Sequence, residues 1–312
     1  MGVRVRAYCS SANLGSGFDI LAISLNSFYD EVEVEVYDGS GNIRIIGVYG
    51  PYANSVPSNN DNIIVYAARK LLSRFNISNV NVDIRLWKGI PVSSGLGSSG
   101  ASSVAVIKAL SEALNLKLDS MTIAELGGLS EEFVAGDPHF DNSTASAVGG
   151  LVILVSNKPP IKARRLNTNY SFILSVPSVK PIQGKTRVMR EVLPKSINLR
   201  LHVESMARLA SLIYGFIYED DYALSLGLDD VIVEPARSKF IPCYDIIREY
   251  SRKAGAIGSV ISGAGPSMLT VTRHSRVTEV IRSLERAYRN CGIEATIVQA
   301  DIAPGAHIVG GD

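Results

Sequence analysis

The chain has 312 residues, with 31 lysines and arginines against 30 aspartates and glutamates, a formal net charge of +1, and 46% hydrophobic and 20% charged residues. At roughly 100–200 residues per domain this length corresponds to about two domains with room for a full core, and the composition excludes a disordered or solvated tail. Without a basic excess, nothing at whole-chain level points to nucleic acid or an anionic membrane, although a small anion needs only a few local groups.

In chain order, apolar residues first alternate with polar ones at Val3, Val5 and Ala7, then at Val32, Val34 and Val36, and again at Val80, Val82, Ile84 and Leu86. Period two marks strands with one buried face, so the first half reads as an antiparallel sheet with helices on one side. Residues 61–75 form a helical pattern with Ile64, Ala67, Ala68, Leu71 and Leu72 on one side, and a second helix follows Gly100 with Val104, Ile107, Leu110 and Leu114 in phase. Residues 121–129 also look helical. A seam between two domains is expected after Gly149-Gly150, where Lys158-Pro159-Pro160 interrupts the pattern, which divides the chain into 1–157 and 165–312. Beyond it, strands at 171–176, 259–261, 267–272 and 295–300 mix with helices at 199–218, 244–254 and 275–289, a sandwich of helices on a mixed or antiparallel sheet. The fold class is therefore α+β. Cys9, Cys243 and Cys291 are too few and too scattered for a disulfide framework or a zinc site. No run of 18 apolar residues occurs, and polar residues begin at Arg4 and Arg6, so neither a signal peptide nor a membrane span is expected and a cytoplasmic protein is.

The densest signal is Pro91-Val92-Ser93-Ser94-Gly95-Leu96-Gly97-Ser98-Ser99-Gly100-Ala101, placed between a strand and an apolar-periodic helix. Glycines let backbone approach a ligand and adopt positive φ. The free N–H groups of a first helical turn and the macrodipole favour an anion, and serines add hydroxyl donors and magnesium ligands. This is the chemistry of a phosphate cradle; an ordinary serine-capped turn rarely carries three glycines and four serines in eight residues. Three familiar motifs match only by letters. Gly95-x-Gly97-x-x-Gly100 satisfies the dinucleotide pattern, but its strand is amphipathic and a helical stretch follows where a ribose-binding acid should sit on a strand. A protein-kinase reading with Lys108 lacks the His-Arg-Asp and Asp-Phe-Gly motifs. Gly184-Lys185-Thr186 mimics the end of a P-loop, but Val179 stands where the first glycine is required.

Pro91–Ser99 matches the Pro-x-x-x-Gly-Leu-Gly-Ser-Ser motif of the small-molecule kinases of the galactokinase, homoserine, mevalonate and phosphomevalonate (GHMP) group. Ser10-Ser11-Ala12-Asn13-Leu14-Gly15-Ser16-Gly17-Phe18-Asp19 resembles that group's first motif and Ser262-Gly263-Ala264-Gly265-Pro266-Ser267 its third. Within the group, His139-Phe140-Asp141-Asn142, Thr186-x-x-x-Arg190-x-x-Leu193-Pro194 and Glu234-Pro235-x-Arg237 are similar to segments of the homoserine kinases. The resemblance implies a two-domain GHMP-kinase fold, with a ribosomal-protein-like N-terminal half, a ferredoxin-like C-terminal half and an active site between them. It also implies an ATP- and magnesium-dependent kinase that phosphorylates the hydroxyl of L-homoserine on the route to threonine, and a homodimer.

The implied roles follow residue by residue. Residues 91–101 would hold the triphosphate, and Asn62 would lie near the adenine, its ordinary alternative being a helix N-cap that Asn60 or Asp61 could equally fill. Ser99 and Glu131 would bind magnesium, with Glu132 a competitor for the second place. Arg190 and Arg237 would clamp the substrate carboxylate, since a planar guanidinium suits it. Arg187 rivals Arg190, three residues earlier, and Thr186 begins the same segment. Asn13, Asp19 and Asp141 would accept from the ammonium group, although Asn13 and Asp19 also suit a turn. Asp141 and Asn142 would lie at the attacking hydroxyl, positioning it more than removing its proton, because a loose transition state needs little base catalysis. His139 would bind substrate or orient its neighbours. Readings that stay open are a kinase for mevalonate or shikimate, a dinucleotide-dependent oxidoreductase, and a nucleotide-binding module without turnover.

Overall fold

The computed structural model describes residues 2–180 and 184–310. Strand β1 (Val3–Ala12) turns through residues 13–20 into the long β2 (Leu21–Asp38). Val5, Ala7 and Cys9 point into the core, while Arg4 and Arg6 stay outside, both paired with Glu31. Strand β3 (Ile43–Tyr49) is followed by helix α1 (Ile63–Arg74), which buries Ile64, Ala67, Ala68 and Leu71, and by β4 (Val80–Lys88). The seven-stranded sheet runs β11-β1-β2-β4-β3, with β5 (Leu151–Ser156) on β2 and β6 (Lys162–Leu166) on β5; β11 is His307–Ile308. The all-antiparallel expectation fails at one edge, where β3 lies parallel to β4. The cause is the crossover: a parallel pair needs a connection of a dozen or more residues, and α1 provides it.

Behind this sheet lie α2 (Ser98–Ala113), α3 (Ser120–Ser130), the short α4 (Glu132–Ala135) and α5 (Asp141–Val148). α2 is buried almost all round, its Val104, Ile107 and Leu110 packed with residues of α1 and β1, so its apolar pattern continues beyond a single stripe.

The second sheet is β10-β7-β9-β8, antiparallel throughout: β7 (Ser171–Pro177), β8 (Gly258–Ile261), β9 (Met268–Thr272) and β10 (Ala295–Ala300). Around it lie α6 (Lys185–Glu191), α7 (Leu199–Tyr218), α8 (Asp221–Leu228), α9 (Val233–Arg237), α10 (Tyr244–Lys253) and α11 (Val277–Asn290). Alternate residues of its strands serve two cores. Phe172, Leu174, Leu269 and Val271 join the core of the first sheet and α7–α8, while Ile173, Ile261 and Met268 join the one under α10 and α11. Burial on both faces makes these strands continuous apolar runs.

These contacts bear on two expectations. The division at 157–165 does not follow hydrogen bonding, because β6 pairs with β5 in the first sheet and β11 returns to β1. Cys243, at the start of α10, and Cys291, at the end of α11, are joined in a disulfide across a sequence separation of 48; antiparallel packing of the two helices brings together residues that their spacing leaves unrelated. No helix among the described residues is long and apolar enough to cross a membrane.

Candidate active site

The three glycine- and serine-rich motifs, remote in sequence, meet in one place. The carbonyls of the phosphate loop are tied down by the other two: Leu96 O accepts from Ser10 N at 3.1 Å, Ser94 O from Ser267 N at 3.1 Å, and Gly95 O from Ser262 Oγ at 2.8 Å. Gly263 N closes the ring on Ala12 O at 3.1 Å. With its carbonyls bound to protein, the loop leads into the first turn of α2, whose N–H groups have no intrahelical partners. Gly95 and Gly97 are obligatory for two reasons. Their φ values are +86° and +63°, and a Cβ would collide with Ser262 O in the first case and Ser10 Oγ in the second.

Residues from both halves line a cleft of about 400 Å³ beside this loop. Of the residues singled out from sequence, Asn13, Asp19, Asn62, His139, Thr186, Arg190 and Arg237 reach it, together with residues 92–99, Glu131, Asp141 and Asn142. Pro91, Gly100 and Ala101 stand behind: the carbonyl of Pro91 accepts from Ser94 Oγ at 2.7 Å, Gly100 lies against Asn142, and Ala101 is buried in the core. Asn62 is the N-cap of α1; its Oδ1 accepts from Ile64 N at 3.1 Å and its Nδ2 donates to Pro57 O at 2.6 Å. The amide is thereby spent on local structure at the end of the cleft where Val56, Pro57 and Leu86 form an apolar wall.

Packing sets Glu131 and Glu132 apart. Glu132 turns away to Lys70 at 2.5 Å and to Tyr66. Glu131 is buried, its Oε2 accepts from Ser99 Oγ at 2.9 Å, and its Oε1 has no partner among the described residues. Burial pushes its carboxyl up to about 7, against the Ser99 hydrogen bond. A buried orphan oxygen beside a serine hydroxyl, at the start of a phosphate-binding helix, fits a hard divalent cation that takes its remaining ligands from phosphates and water. No group of three or more His, Cys, Asp or Glu among the described residues offers an all-protein site.

Arg187 is likewise separated from Arg190. It pairs with Glu191 in solvent, 74% exposed. Arg190 reaches back to Asp19, with Nη2 at 2.8 and 2.9 Å from the two carboxylate oxygens. Arg237 is buried, donating from Nε to Met189 O at 3.0 Å and from Nη1 to Gly263 O at 3.1 Å, with no carboxylate in ion-pair range among the described residues. Burial, and then Arg190, lower its guanidinium to about 10. Phe18, not among the residues singled out from sequence, sits between the two arginines, its ring 5.3 Å from the guanidinium of Arg190 and 5.2 Å from that of Arg237. The amide of Asn13 is committed to the Asp19 N–H at 3.3 Å and to Gly263 O at 3.0 Å, so it shapes the first motif.

Asp141 begins α5. Its carboxyl is buried and pushed up to about 7, first by burial and then by the charge of Asp19, despite accepting from Asn142 N at 2.7 Å. Asn142 is held by Ser10, whose Oγ donates to Oδ1 at 2.8 Å. Among the described residues neither ring nitrogen of His139 has a hydrogen-bond partner, and burial and Arg190 both lower its pKa. Two lysines in the cleft were not singled out from sequence. Lys88 is buried on Asp30, Ser102 Oγ at 2.9 Å and Ser98 O at 3.2 Å, a brace between β4 and α2. Lys185, dismissed with the false P-loop, donates to Ser93 O at 2.6 Å. Only the period-two alternation ending at Lys88, with a lysine where an apolar residue is due, hinted at the first.

The chain as a whole is similar to known proteins. The family model for the N-terminal domain of GHMP kinases matches residues 62–150 and that for their C-terminal domain residues 220–290. The chain is 38% identical over 303 residues to a homoserine kinase of Pyrobaculum neutrophilum, covering 97% of this chain and 99% of that one. It is also 38% identical over 310 residues to one of Aeropyrum pernix, covering 98% of each. The crystal structure of homoserine kinase from Cytophaga hutchinsonii is similar with a TM-score of 0.89 at 27% identity, over 99% of this chain and 97% of that one. L. major mevalonate kinase shares the fold, with a TM-score of 0.68 at 16% identity over 96% and 95% of the two chains.

Proposed function

The chain belongs to the GHMP kinase family, among its homoserine kinases, and from that premise we propose that the cleft transfers the γ-phosphoryl group of ATP to the side-chain hydroxyl of L-homoserine, giving O-phospho-L-homoserine for threonine synthesis. The observation that carries this reading is Arg237, a buried guanidinium without a carboxylate partner among the described residues, in the cleft that holds the phosphate loop. A buried cation of this kind favours a ligand carboxylate.

In the step itself, a bond forms between the homoserine oxygen and Pγ as the bond from Pγ to the bridging oxygen of ADP breaks, and the hydroxyl proton is released to bulk water. The loop amides at the start of α2 hold the triphosphate by hydrogen bonds and by the helix dipole. Arg237, with Arg190 beside it, holds the α-carboxylate. Asp19 and Asp141 face the ammonium group. Asn142, braced by Ser10 and Asp141, fixes the hydroxyl in line. Asp141, titrating near neutrality, is a positioning group first, in keeping with a reaction that gains most from orientation and charge stabilisation. Ser99 and Glu131 would hold magnesium, which when bound offsets charge on the β- and γ-phosphates.

An ADP-release assay coupled to NADH oxidation, run over homoserine, mevalonate and shikimate, tests the reading. Turnover is expected with homoserine and magnesium-ATP. Folded, nucleotide-binding protein that leaves homoserine untouched would overturn the substrate assignment, and thermal stabilisation by NAD but not by magnesium-ATP would restore the oxidoreductase alternative.

A further inference from the structure

Lys185 has no part in the roles described above. It opens α6 immediately before Thr186, is 6% exposed, and lines the cleft. Among the described residues its ammonium makes one hydrogen bond, to the carbonyl of Ser93 in the phosphate loop, and no carboxylate lies within ion-pair range of it. An ammonium carries three donors, so this one keeps unspent donors in a cleft built for anions. Burying a cation without a counter-charge is costly, and here burial and the neighbouring Arg237 bring the pKa down to about 7. The other cations of the cleft are engaged elsewhere, Arg190 on Asp19, Lys88 on Asp30, and Arg237 on two carbonyls at the Phe18 end. Lys88 also reaches the loop, at Ser98 O, but its charge is met by Asp30; among the described residues Lys185 is bonded to the loop with no carboxylate beside it.

We propose that Lys185 is a further catalytic cation of the phosphoryl transfer: anchored on Ser93, its ammonium contacts the terminal phosphate oxygens of the bound nucleotide and offsets their charge as the γ-phosphoryl group moves. The proposal rests on the kinase reading of the cleft. An arriving triphosphate supplies the missing counter-charge and restores the full positive charge on Lys185, so the contact strengthens with the charge it serves.

Wild type, Lys185→Met and Lys185→Arg are compared in the ADP-release assay with homoserine and ATP varied in turn. Their affinities for AMP-PNP and ADP are measured by calorimetry, and their melting temperatures are recorded. Lys185→Met is expected to lower kcat by roughly 10²–10³, as loss of one preorganised charged donor does, with homoserine KM within about threefold and the Tm unchanged or higher. Lys185→Arg should recover at least about a tenth of the lost rate, because it keeps the charge. AMP-PNP should bind Lys185→Met roughly tenfold more weakly, and ADP nearly as well as wild type. Three results overturn the proposal: unchanged kcat, a loss confined to homoserine KM, or a loss that follows a fall in Tm with arginine no better than methionine. If wild type phosphorylates no alcohol, the kinase reading fails by itself; the AMP-PNP and ADP affinities still decide Lys185, and equal weakening of both, or of neither, refutes it.

Discussion

Replacing Arg237 with leucine removes a guanidinium whose Nε and Nη1 already donate to Met189 O and Gly263 O. Of its five N–H groups, those two bonds leave three to meet a substrate carboxylate. A hydrogen bond to a charged group contributes about 1.5–3 kcal/mol, and two such bonds, less the water that refills the site, amount to roughly 2–4 kcal/mol. At about 1.4 kcal/mol per decade, kcat/KM for homoserine should fall roughly 30- to 1000-fold. The KM for ATP should stay within about threefold, since the hydrogen bonds of Arg237 end on Met189 O and Gly263 O and neither on the phosphate loop. The two carbonyls that lose their donor lower stability, and a Tm drop of a few degrees is expected. Steady-state kinetics in the coupled ADP assay, with each substrate varied at saturation of the other, measure the effect. An amino alcohol that lacks the carboxylate provides the internal control, because its turnover should barely respond. Equal losses for homoserine and for this control, or equal rises in both KM values, would refute the assignment of Arg237 to the carboxylate.

Glu131→Gln removes the buried carboxylate beside Ser99 and should raise the magnesium concentration for half-maximal rate at least about tenfold, read from magnesium titrations at fixed ATP. Asp141 carries a pH dependence of stability. Its folded pKa, pushed up to about 7, exceeds the unfolded value near 4, so the native state binds the extra proton between those limits. The contribution is fully present below about pH 4 and is lost as pH rises to about 7. Asp141→Asn should therefore melt higher than wild type at pH 8 and show no such advantage at pH 4, as followed by circular dichroism, while losing activity. Breaking the disulfide with Cys291→Ser frees a segment of 48 residues, which by loop-closure entropy costs about 4 kcal/mol. Melts with and without reductant should differ in wild type and coincide in the variant, with kcat unchanged.

The local elements were legible because they depend on short-range periodicity. Leu199–Tyr218 and Ala295–Ala300 begin and end where the apolar pattern does, and α2 starts at Ser98, within the glycine-rich loop. The short helices α5 and α9 were not, since eight and five residues give too few turns for a period to show. The parallel β3–β4 edge was hidden because pairing is decided by a crossover, not by either strand. The three motifs could be recognised as sequence, and with them the family.

What the sequence by itself determined is the inventory of chemistry: a loop of glycines and serines before a helix, acids for a cation and an ammonium group, arginines for a carboxylate, all in a chain of net charge +1. What only the tertiary structure decided is which members of that inventory are spent on one another. Glu131 buried on Ser99 while Glu132 pairs with Lys70, Arg190 drawn onto Asp19 while Arg187 stays in solvent, Asn13 held by Gly263 and Lys185 drawn onto Ser93 all follow from burial and from partners 32 to 250 residues away, whereas the amide of Asn62 is spent on its own helix start. A side chain's charge is a property of its residue type, but its availability is set by desolvation and by the groups packed against it, and those arrive from other parts of the fold.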